Sequence, residues 1–298
     1  MPGDTLSGFA VVEPAPAKIN LALHVVGERG DGYHLLDSLV TFTAFGDRIA
    51  LSPAGKDRFT LSGRFSGTLA AEGDNLVTRA RDRLRAALEQ TGQSAPPVHI
   101  HLEKNLPIAS GIGGGSADAA ATLRGLLALW RAHLPGDRLD AIAIGLGADV
   151  PMCLAGRPLL ARGIGEDITP VALPALSMVL ANPLVGVSTP AVFRALASKR
   201  NEPLVLKDTL EDWLDAIDGL RNDLEPPARR LCPQIGELAD DLAATDARIV
   251  RMSGSGASCF ALYNSHAMAE VAAASLRQQH PDWFIIATRT LEGHDGTP

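Results

Sequence analysis

From Ala17 to Val26 apolar and polar residues alternate, with Ile19, Leu21, Leu23 and Val25 to one side and Lys18, Asn20 and His24 to the other. A period of two predicts a strand. Upstream, residues 9–13 also read as extended, and Pro14 and Pro16 are expected to interrupt the two stretches. The turn Gly27–Gly32 contains an Asp-Gly step that favours tight reversal, and it delivers Tyr33 beside His34. Strands follow at 38–45, 48–52 and 59–61, rich in Thr, Val and Phe and expected to form an antiparallel series. Asn75 starts a helix that runs to about Gln90. Its arginines, Arg79, Arg81, Arg83 and Arg85, are scattered around the helix by their spacing and read as solvated surface.

Val98, Ile100 and Leu102 alternate against His99, His101 and Glu103 in a further strand, and an Ala/Leu-rich helix is predicted over 116–132. Between them lies Pro107-Ile108-Ala109-Ser110-Gly111-Ile112-Gly113-Gly114-Gly115-Ser116-Ala117. Glycines at 111, 113, 114 and 115 can take positive φ and carry no Cβ, so successive N–H groups can converge on a phosphate. Ser116 is expected to cap the helix and Asp118 to fall in its first turn, where an anion meets the positive end of the dipole. The string has neither the Gly-Lys-Ser/Thr of a Walker loop nor a spaced dinucleotide fingerprint. A flexible, serine-capped turn is the bland alternative, and three adjacent glycines set tightly between strand and helix weigh against it.

Downstream, a helix over 139–146 leads to Gly147-Ala148-Asp149-Val150-Pro151, and Asp149 is expected to precede an apolar strand at 152–155. There it is a general-base candidate, or else a turn aspartate bonded to its own backbone. A glycine-bearing hairpin at 161–166 closes a first domain near Pro170. Beyond it come a strand at 178–180, a helix capped by Ser188-Thr189-Pro190 that contains Phe193 and Leu196, and a helix over 206–219 that includes Leu210 and Trp213. Asn222–Pro226 opens another helix, and one more follows Pro233. Strands at 249–252 and 259–262 flank the loop Ser253-Gly254-Ser255-Gly256-Ala257-Ser258, and a helix to about Gln279 precedes a last strand at 284–290. This order predicts an α+β fold in two domains, 1–170 and 171–298, the second a two-layer split βαβ unit.

Composition narrows the function. The 298 residues are 46% hydrophobic and 20% charged, which excludes a disordered chain and allows one large or two medium domains. Net charge is −7 with no basic tract, so a nucleic acid polymer is not an expected partner. No apolar run approaches membrane-spanning length and no secretory leader is evident, which predicts a cytoplasmic protein. Cys153, Cys232 and Cys259 are widely separated, consistent with a reducing compartment and against a cysteine zinc site. Lys18 and Asn20 could simply be a solvated face, and they gain interest only if their strand lies beside the glycine loop. Tyr33 and His34 could stack on and bond a flat heterocycle, or fill the edge of the core.

Three stretches, PAPAKINLAL at 14–23, PIASGIGGGSADAA at 107–120 and MSGSGASCF at 252–260, resemble the three motifs of the GHMP small-molecule kinase superfamily. Within it, DGYHLLDSL at 31–39, DNLVTRA at 74–80, GLGADVPMCLAG at 145–156, ARGIGEDITP at 161–170 and RNDLEPPARRLCPQI at 221–235 resemble the branch that phosphorylates a diphosphocytidyl-linked methylerythritol in non-mevalonate isoprenoid synthesis. The resemblance implies a ribosomal-S5-like ATP-binding domain followed by a ferredoxin-like domain. ATP with Mg2+ and the cytidyl alcohol would meet in the cleft between them, and the γ-phosphoryl would pass to the 2-hydroxyl. It implies catalytic roles for Lys18 and Asp149, and ATP contacts at Asn75, Leu76, Pro107, Gly111, Ile112, Gly113, Gly114, Gly115, Ser116 and Ala117. Substrate contacts are implied at Asn20, Tyr33, His34, Thr189, Phe193, Gly254, Ser255 and Gly256. Ile112 stands where leucine is frequent and Ala117 where a second serine is common; neither change removes the backbone donors. The resemblance assigns no metal ligand, and a monomer or weak homodimer is expected. The rival readings are another kinase of the superfamily, such as homoserine or mevalonate kinase, and a non-enzymatic nucleotide-binding scaffold.

Overall fold

The computed structural model describes residues 6–68, 75–206 and 213–293. The chain packs as two compact units: one holds Met1–Ala17, Gly46–Ile108 and Gly114–Gly156, the other Lys18–Phe45, Ala109–Gly113 and Arg157–Pro298. These units interleave along the chain, whereas the expected domains were the successive segments 1–170 and 171–298.

Two long strands, β1 (Val11–Glu28) and β2 (His34–Pro53), contribute to both units. Pro14 and Pro16 do not interrupt β1, because a φ fixed near −65° remains compatible with an extended chain. Likewise β2 is continuous where two strands were expected. Gly46 sits inside it because a Cβ there would lie 2.3 Å from the Ala15 carbonyl oxygen.

In the first unit, β3 (Arg58–Ser62) leads through α1 (Leu76–Glu89) to β4 (Val98–Glu103). β4 pairs antiparallel with the Arg48–Pro53 part of β2, and β3 pairs parallel with β4, not antiparallel as expected. The intervening helix accounts for this, since a parallel neighbour needs a crossover of a dozen or more residues. Asn75 caps α1, accepting from the Thr78 N–H at 2.9 Å while its own N–H reaches the Thr78 hydroxyl at 3.3 Å. Arg85 is not merely solvated: it grips Asp57 through both guanidinium nitrogens, at 2.6 and 2.8 Å, and this holds the Asp57 carboxyl at about 2. Then come α2 (Gly114–Trp130), α3 (Gly136–Leu146) and α4 (Val150–Ala155). α2 packs against α1 and α4 through a run of buried small residues, Ala117 and Ala119–Ala121.

In the second unit, β5 (Leu159–Gly163) and β6 (Asp167–Pro170) form the expected hairpin, and β5 lies antiparallel to Leu36–Val40 of β2. The rest runs β7 (Ser177–Asn182), α5 (Thr189–Arg194), α6 (Trp213–Asp218), α7 (Glu225–Leu231), α8 (Gln234–Ala243), β8 (Ile249–Met252), β9 (Cys259–Tyr263), α9 (His266–Gln279) and β10 (Phe284–Arg289). Its sheet is antiparallel in the order β10-β7-β9-β8, the split βαβ arrangement expected from the order of elements. Helices α8 and α9 cover it through Ile235, Leu238, Leu242, Ala269, Ala273 and Leu276, all buried with Val179, Ala261 and Ile285. Of the helix expected over 206–219, Leu210 lies outside the described residues, and among those described Trp213–Asp218 is helical. Phe193 lies in α5, while Leu196 falls beyond its end. All three cysteines are buried free thiols. Among the described residues no helix is long and apolar enough to cross a membrane.

Candidate active site

In the second unit, Lys18 and Asn20 do not form the solvated face that alternation allowed. Both are buried, because β1 is covered on both sides along this stretch. Lys18 Nζ donates to Asn20 Oδ1 at 2.9 Å, and Asn20 Nδ2 donates to Ser38 Oγ at 2.8 Å, which in turn donates to the Ala22 carbonyl. The backbone of β1 continues the connection. Lys18 N–H donates to the Ile112 carbonyl at 2.9 Å and Asn20 N–H to Ser253 Oγ at 3.1 Å, while that hydroxyl donates to the Gly111 carbonyl at 3.2 Å. Residues from all three resembling stretches thus share one hydrogen-bonded network, although more than 230 positions separate Asn20 from Ser253. A buried ammonium so oriented is fixed relative to the 109–113 loop, which is what a charge-stabilising role requires.

The two glycine loops touch. Gly111 has φ +74°, and a Cβ on it would lie 2.6 Å from the Ser253 carbonyl oxygen and 2.8 Å from that of Gly256. Gly254, at φ +57°, approaches the Gly111 carbonyl oxygen as closely from the other side. Asn222, outside the residues singled out above, holds the second loop by donating to the Met252 and Gly254 carbonyls at 2.7 and 2.9 Å. Thr189 Oγ1 and Ser255 Oγ share a hydrogen bond of 2.6 Å. Gly111→Ala combines a left-handed backbone, costing about 1–2 kcal/mol on its own, with overlap against main chain that cannot rotate away. Its urea midpoint should therefore fall clearly below that of the wild type. A change of less than about 0.5 kcal/mol, the size of an ordinary surface substitution, would show that the loops separate readily.

In the first unit, Gly114 and Gly115 are the first two residues of α2 and lie within the helix; the positive φ expected at all four glycines occurs at 111 and 113. Ser116 is correspondingly the third helical residue and not the cap. The first helical turn still presents N–H groups with no intrahelical acceptor, so the capacity to bind an anion is kept. A Cβ on Gly115 would meet Leu76 at 3.5 Å, which puts the α1 start, Asn75 and Leu76, beside the α2 start. Pro107 and Ala117 are buried supports of the same segment.

Asp118 departs most from expectation. It is buried, one turn inside α2, and its Oδ2 accepts from Lys104 Nζ at 2.7 Å. The same ammonium donates to Asp47 Oδ2 at 2.5 Å, and Asp47 Oδ1 accepts from the N–H groups of Asn105 and Leu106. Burial pushes the Asp118 carboxyl up to about 8, with Lys104 opposing and the Asp47 charge adding. Burial works against the Lys104 charge, but the two carboxylates outweigh it and hold the ammonium above its usual range. An aspartate in an otherwise Ala/Leu helix was the available sequence signal for this cluster. Its partner Lys104 could not be identified from spacing.

Asp149 occupies the N-cap position of α4, where a strand had been expected. The four-residue apolar run 152–155 is helical because Pro151 sits in the first turn and Gly156, at φ +59°, ends it. Half-buried, Asp149 makes no side-chain cap bond to the helix it precedes, so its carboxylate is not consumed by that local role.

A ring pair marks another part of the second unit. His34 and Phe193 lie with centroids 4.6 Å apart and planes inclined by 33°. Burial lowers the His34 pKa, helped by Lys199 and opposed by Glu28, so the ring is neutral at neutral pH. Its Nε2 is buried with no hydrogen-bond partner among the described residues. Tyr33 does not fill a core edge: it is 59% exposed, with the Arg29 guanidinium 5.9 Å from its ring centroid.

Comparison with known proteins matches residues 75–157 to the model of the GHMP kinases N terminal domain and residues 202–282 to that of the GHMP kinases C terminal. The 4-diphosphocytidyl-2-C-methyl-D-erythritol kinase of Rhizobium etli (strain CIAT 652) is 60% identical over 96% of this chain and 96% of its own length. That of Mesorhizobium japonicum (strain LMG 29417 / CECT 9101 / MAFF 303099) is 50% identical over 93% of this chain and 95% of its own. Among solved structures, a 4-(cytidine 5'-diphospho)-2C-methyl-D-erythritol kinase aligns with a TM-score of 0.78 at 36% identity, covering 94% of this chain and 99% of its own. A homoserine kinase from Cytophaga hutchinsonii aligns with a TM-score of 0.68 at 19% identity over 95% of this chain and 94% of its own, a likeness of fold alone.

Proposed function

The chain belongs to the 4-diphosphocytidyl-2-C-methyl-D-erythritol kinase family, and on that premise we propose that it transfers the γ-phosphoryl of ATP to the 2-hydroxyl of 4-diphosphocytidyl-2-C-methyl-D-erythritol, giving the 2-phosphate and ADP. It has the two-domain α+β fold of the GHMP kinases, with 1–170 and 171–298 as its successive modules in this reading. The observation that carries the reading is the buried network joining Lys18, Asn20, Ser253 and the 109–113 loop, which gives each of three distant motifs a structural reason to be present together.

Phosphoryl transfer asks the protein for alignment and charge neutralisation more than for covalent chemistry. The N–H groups at the start of α2, with Gly114, Gly115 and Ser116, hold the nucleotide phosphates, and Asn75 and Leu76 border the adenine. Asp149 takes the proton from the attacking 2-hydroxyl. Lys18, aimed by Asn20, counters negative charge on the reacting oxygens. Magnesium carried on the nucleotide supplies further neutralisation of the phosphates; no side chain is assigned to it. Thr189 and the loop Gly254-Ser255-Gly256 hold the substrate beyond the reacting hydroxyl. The protein works in the cytoplasm, in non-mevalonate isoprenoid precursor synthesis, as a monomer or weak homodimer.

Tyr33, His34 and Phe193 hold the cytosine. The unpartnered His34 Nε2 offers a hydrogen bond to the base edge, and the neighbouring Phe193 ring offers a face. Stacking of a base on an aromatic ring is worth about 1–3 kcal/mol by alanine substitution. Phe193→Ala should then raise KM for the cytidyl substrate by roughly tenfold and leave ATP affinity unchanged. The activity is tested by ADP release with ATP and magnesium against the cytidyl alcohol, methylerythritol 4-phosphate, homoserine and mevalonate. Preference for any of the last three, or an equal loss in Phe193→Ala on substrates with and without cytidine, would refute the assignment.

A further inference from the structure

Asp47, Lys104 and Asp118 are all buried, and they place two carboxylates on one ammonium. If every member is charged, the cluster holds one net negative charge with no solvent to screen it. The cluster sits against the start of α2: a Cβ on Gly114 would lie 3.2 Å from Lys104 Nζ and 3.6 Å from Asp47 Oδ2. Asp118, four residues into the helix, is only about 6 Å along the axis from that start. A net negative charge there opposes the anion that the helix terminus would otherwise attract.

The two carboxylates are not equivalent. Asp47 uses both oxygens, one on Lys104 and the other on the N–H groups of Asn105 and Leu106. Those N–H bonds favour its charged form. Asp118 uses only Oδ2; its Oδ1 is buried with no hydrogen-bond partner among the described residues. A buried oxygen without a donor is where an anionic form is least supported. α1 and α4 pack on α2, and their buried residues are apolar, Val77, Ala80 and Leu84 in one and Val150, Met152 and Cys153 in the other. Of the charged groups on these elements, Arg81 and Arg85 of α1 pair with Asp57 and Asp82, Arg79 is half-buried, Arg83 and Glu89 are exposed, Asp149 heads α4, and Arg124, further along α2, is engaged with Glu13.

We propose that Asp118 is the protonated member of this triad when nucleotide binds, so that the support beneath the start of α2 is neutral, and that loss of this proton weakens nucleotide binding without any contact to the nucleotide. Asp118 is thus a positioning residue acting through Lys104 and the helix terminus. The proposal rests on the reading of that terminus as the phosphate site. The upward displacement of its carboxyl to about 8 agrees with the geometry and sets the pH at which the effect begins. The proton leaves to solvent, the cluster goes from neutral to one negative charge, and affinity falls as pH rises through that value. By linkage, bound nucleotide must retain the proton by the same factor.

Two measurements test it on the full-length protein. The first is a carboxyl-13C titration of labelled aspartates without nucleotide, with the Asp118 signal assigned by its loss in Asp118→Asn. It should titrate near 8, and complete ionisation below about pH 5, the ordinary carboxylate range, would overturn the proposal. The second is calorimetry with Mg-ATP at about pH 7.5 and about pH 9.5, both above the last phosphate ionisation. Wild type should bind at least about fivefold more weakly at the higher pH, the lower end of the usual coupling between linked sites, and Asp118→Asn should lose that dependence. Asp47→Asn serves if Asp118→Asn does not fold. With one carboxylate removed, an ionised Asp118 is balanced by Lys104, and the pH dependence should again disappear. Equal pH dependence in wild type and variant would overturn the proposal. Gly114→Val that binds ATP as wild type does would overturn the phosphate-site reading and the affinity half with it, while the titration stands or falls by itself.

Discussion

Asp149→Asn should lower kcat by about 10²–10⁴-fold, the usual contribution of a general base, while Mg-ATP binding stays within about twofold of wild type. The two effects separate because Asp149 and the start of α2 are different pieces of the chain with different tasks. The carboxylate makes no side-chain cap bond to α4, so an isosteric amide removes its basicity without removing a helix cap. Urea denaturation read alongside separates any loss of stability from the loss of chemistry. Steady-state kinetics with the cytidyl alcohol and equilibrium binding of nucleotide read the two quantities independently. Turnover near the wild-type rate in a folded variant would remove Asp149 from the proton-accepting role, and a parallel loss of ATP affinity would make it part of the nucleotide site.

How legible that position was depended on the length of the signal. Residues 152–155 are a four-residue apolar run, which strand and helix share, and only Pro151 and Gly156 decide for a helix. The longer patterns held. The alternation at 17–26, the capped helix after Asn75 and the strand–helix order that gives the split βαβ sheet all have enough periods to fix their type. Burial was harder to read than type. Lys18 and Asn20 alternate with apolar neighbours as a solvated face would, yet they are covered, because Ser253 and the Ile112 carbonyl bond the backbone of their strand. No local pattern announces a partner more than 200 positions away. The same holds for β3, whose parallel pairing follows from the crossover through α1 and not from its own five residues. At the glycine loop the composition was legible and the conformations only partly so. Gly111 and Gly113 need positive φ, while Gly114 is small because the helix start comes close to Lys104.

Lys104→Met should be among the most destabilising single changes in the first unit, lowering stability by about 3–5 kcal/mol, the usual cost of removing one partner from a buried ion pair. Methionine keeps most of the volume of the lysine stem, so the loss is electrostatic and not a cavity. The variant leaves Asp47 and Asp118 facing one another in a buried site with nothing positive between them. Both must then be raised in the folded state above their unfolded values, so the folded chain binds more protons and stability increases as pH falls. The deficit against wild type should consequently narrow between about pH 7 and about pH 5, as protonation neutralises the second carboxylate. Asp118 is already neutral there, so adding Asp118→Asn to Lys104→Met should recover little, whereas adding Asp47→Asn removes the stranded charge and should recover part of the loss, a coupling that two independent sites would not show. Urea melts of the single and double variants across that pH range read all three quantities. A pH-independent deficit would mean that packing of the lysine stem, and not its charge, holds the start of α2 in place.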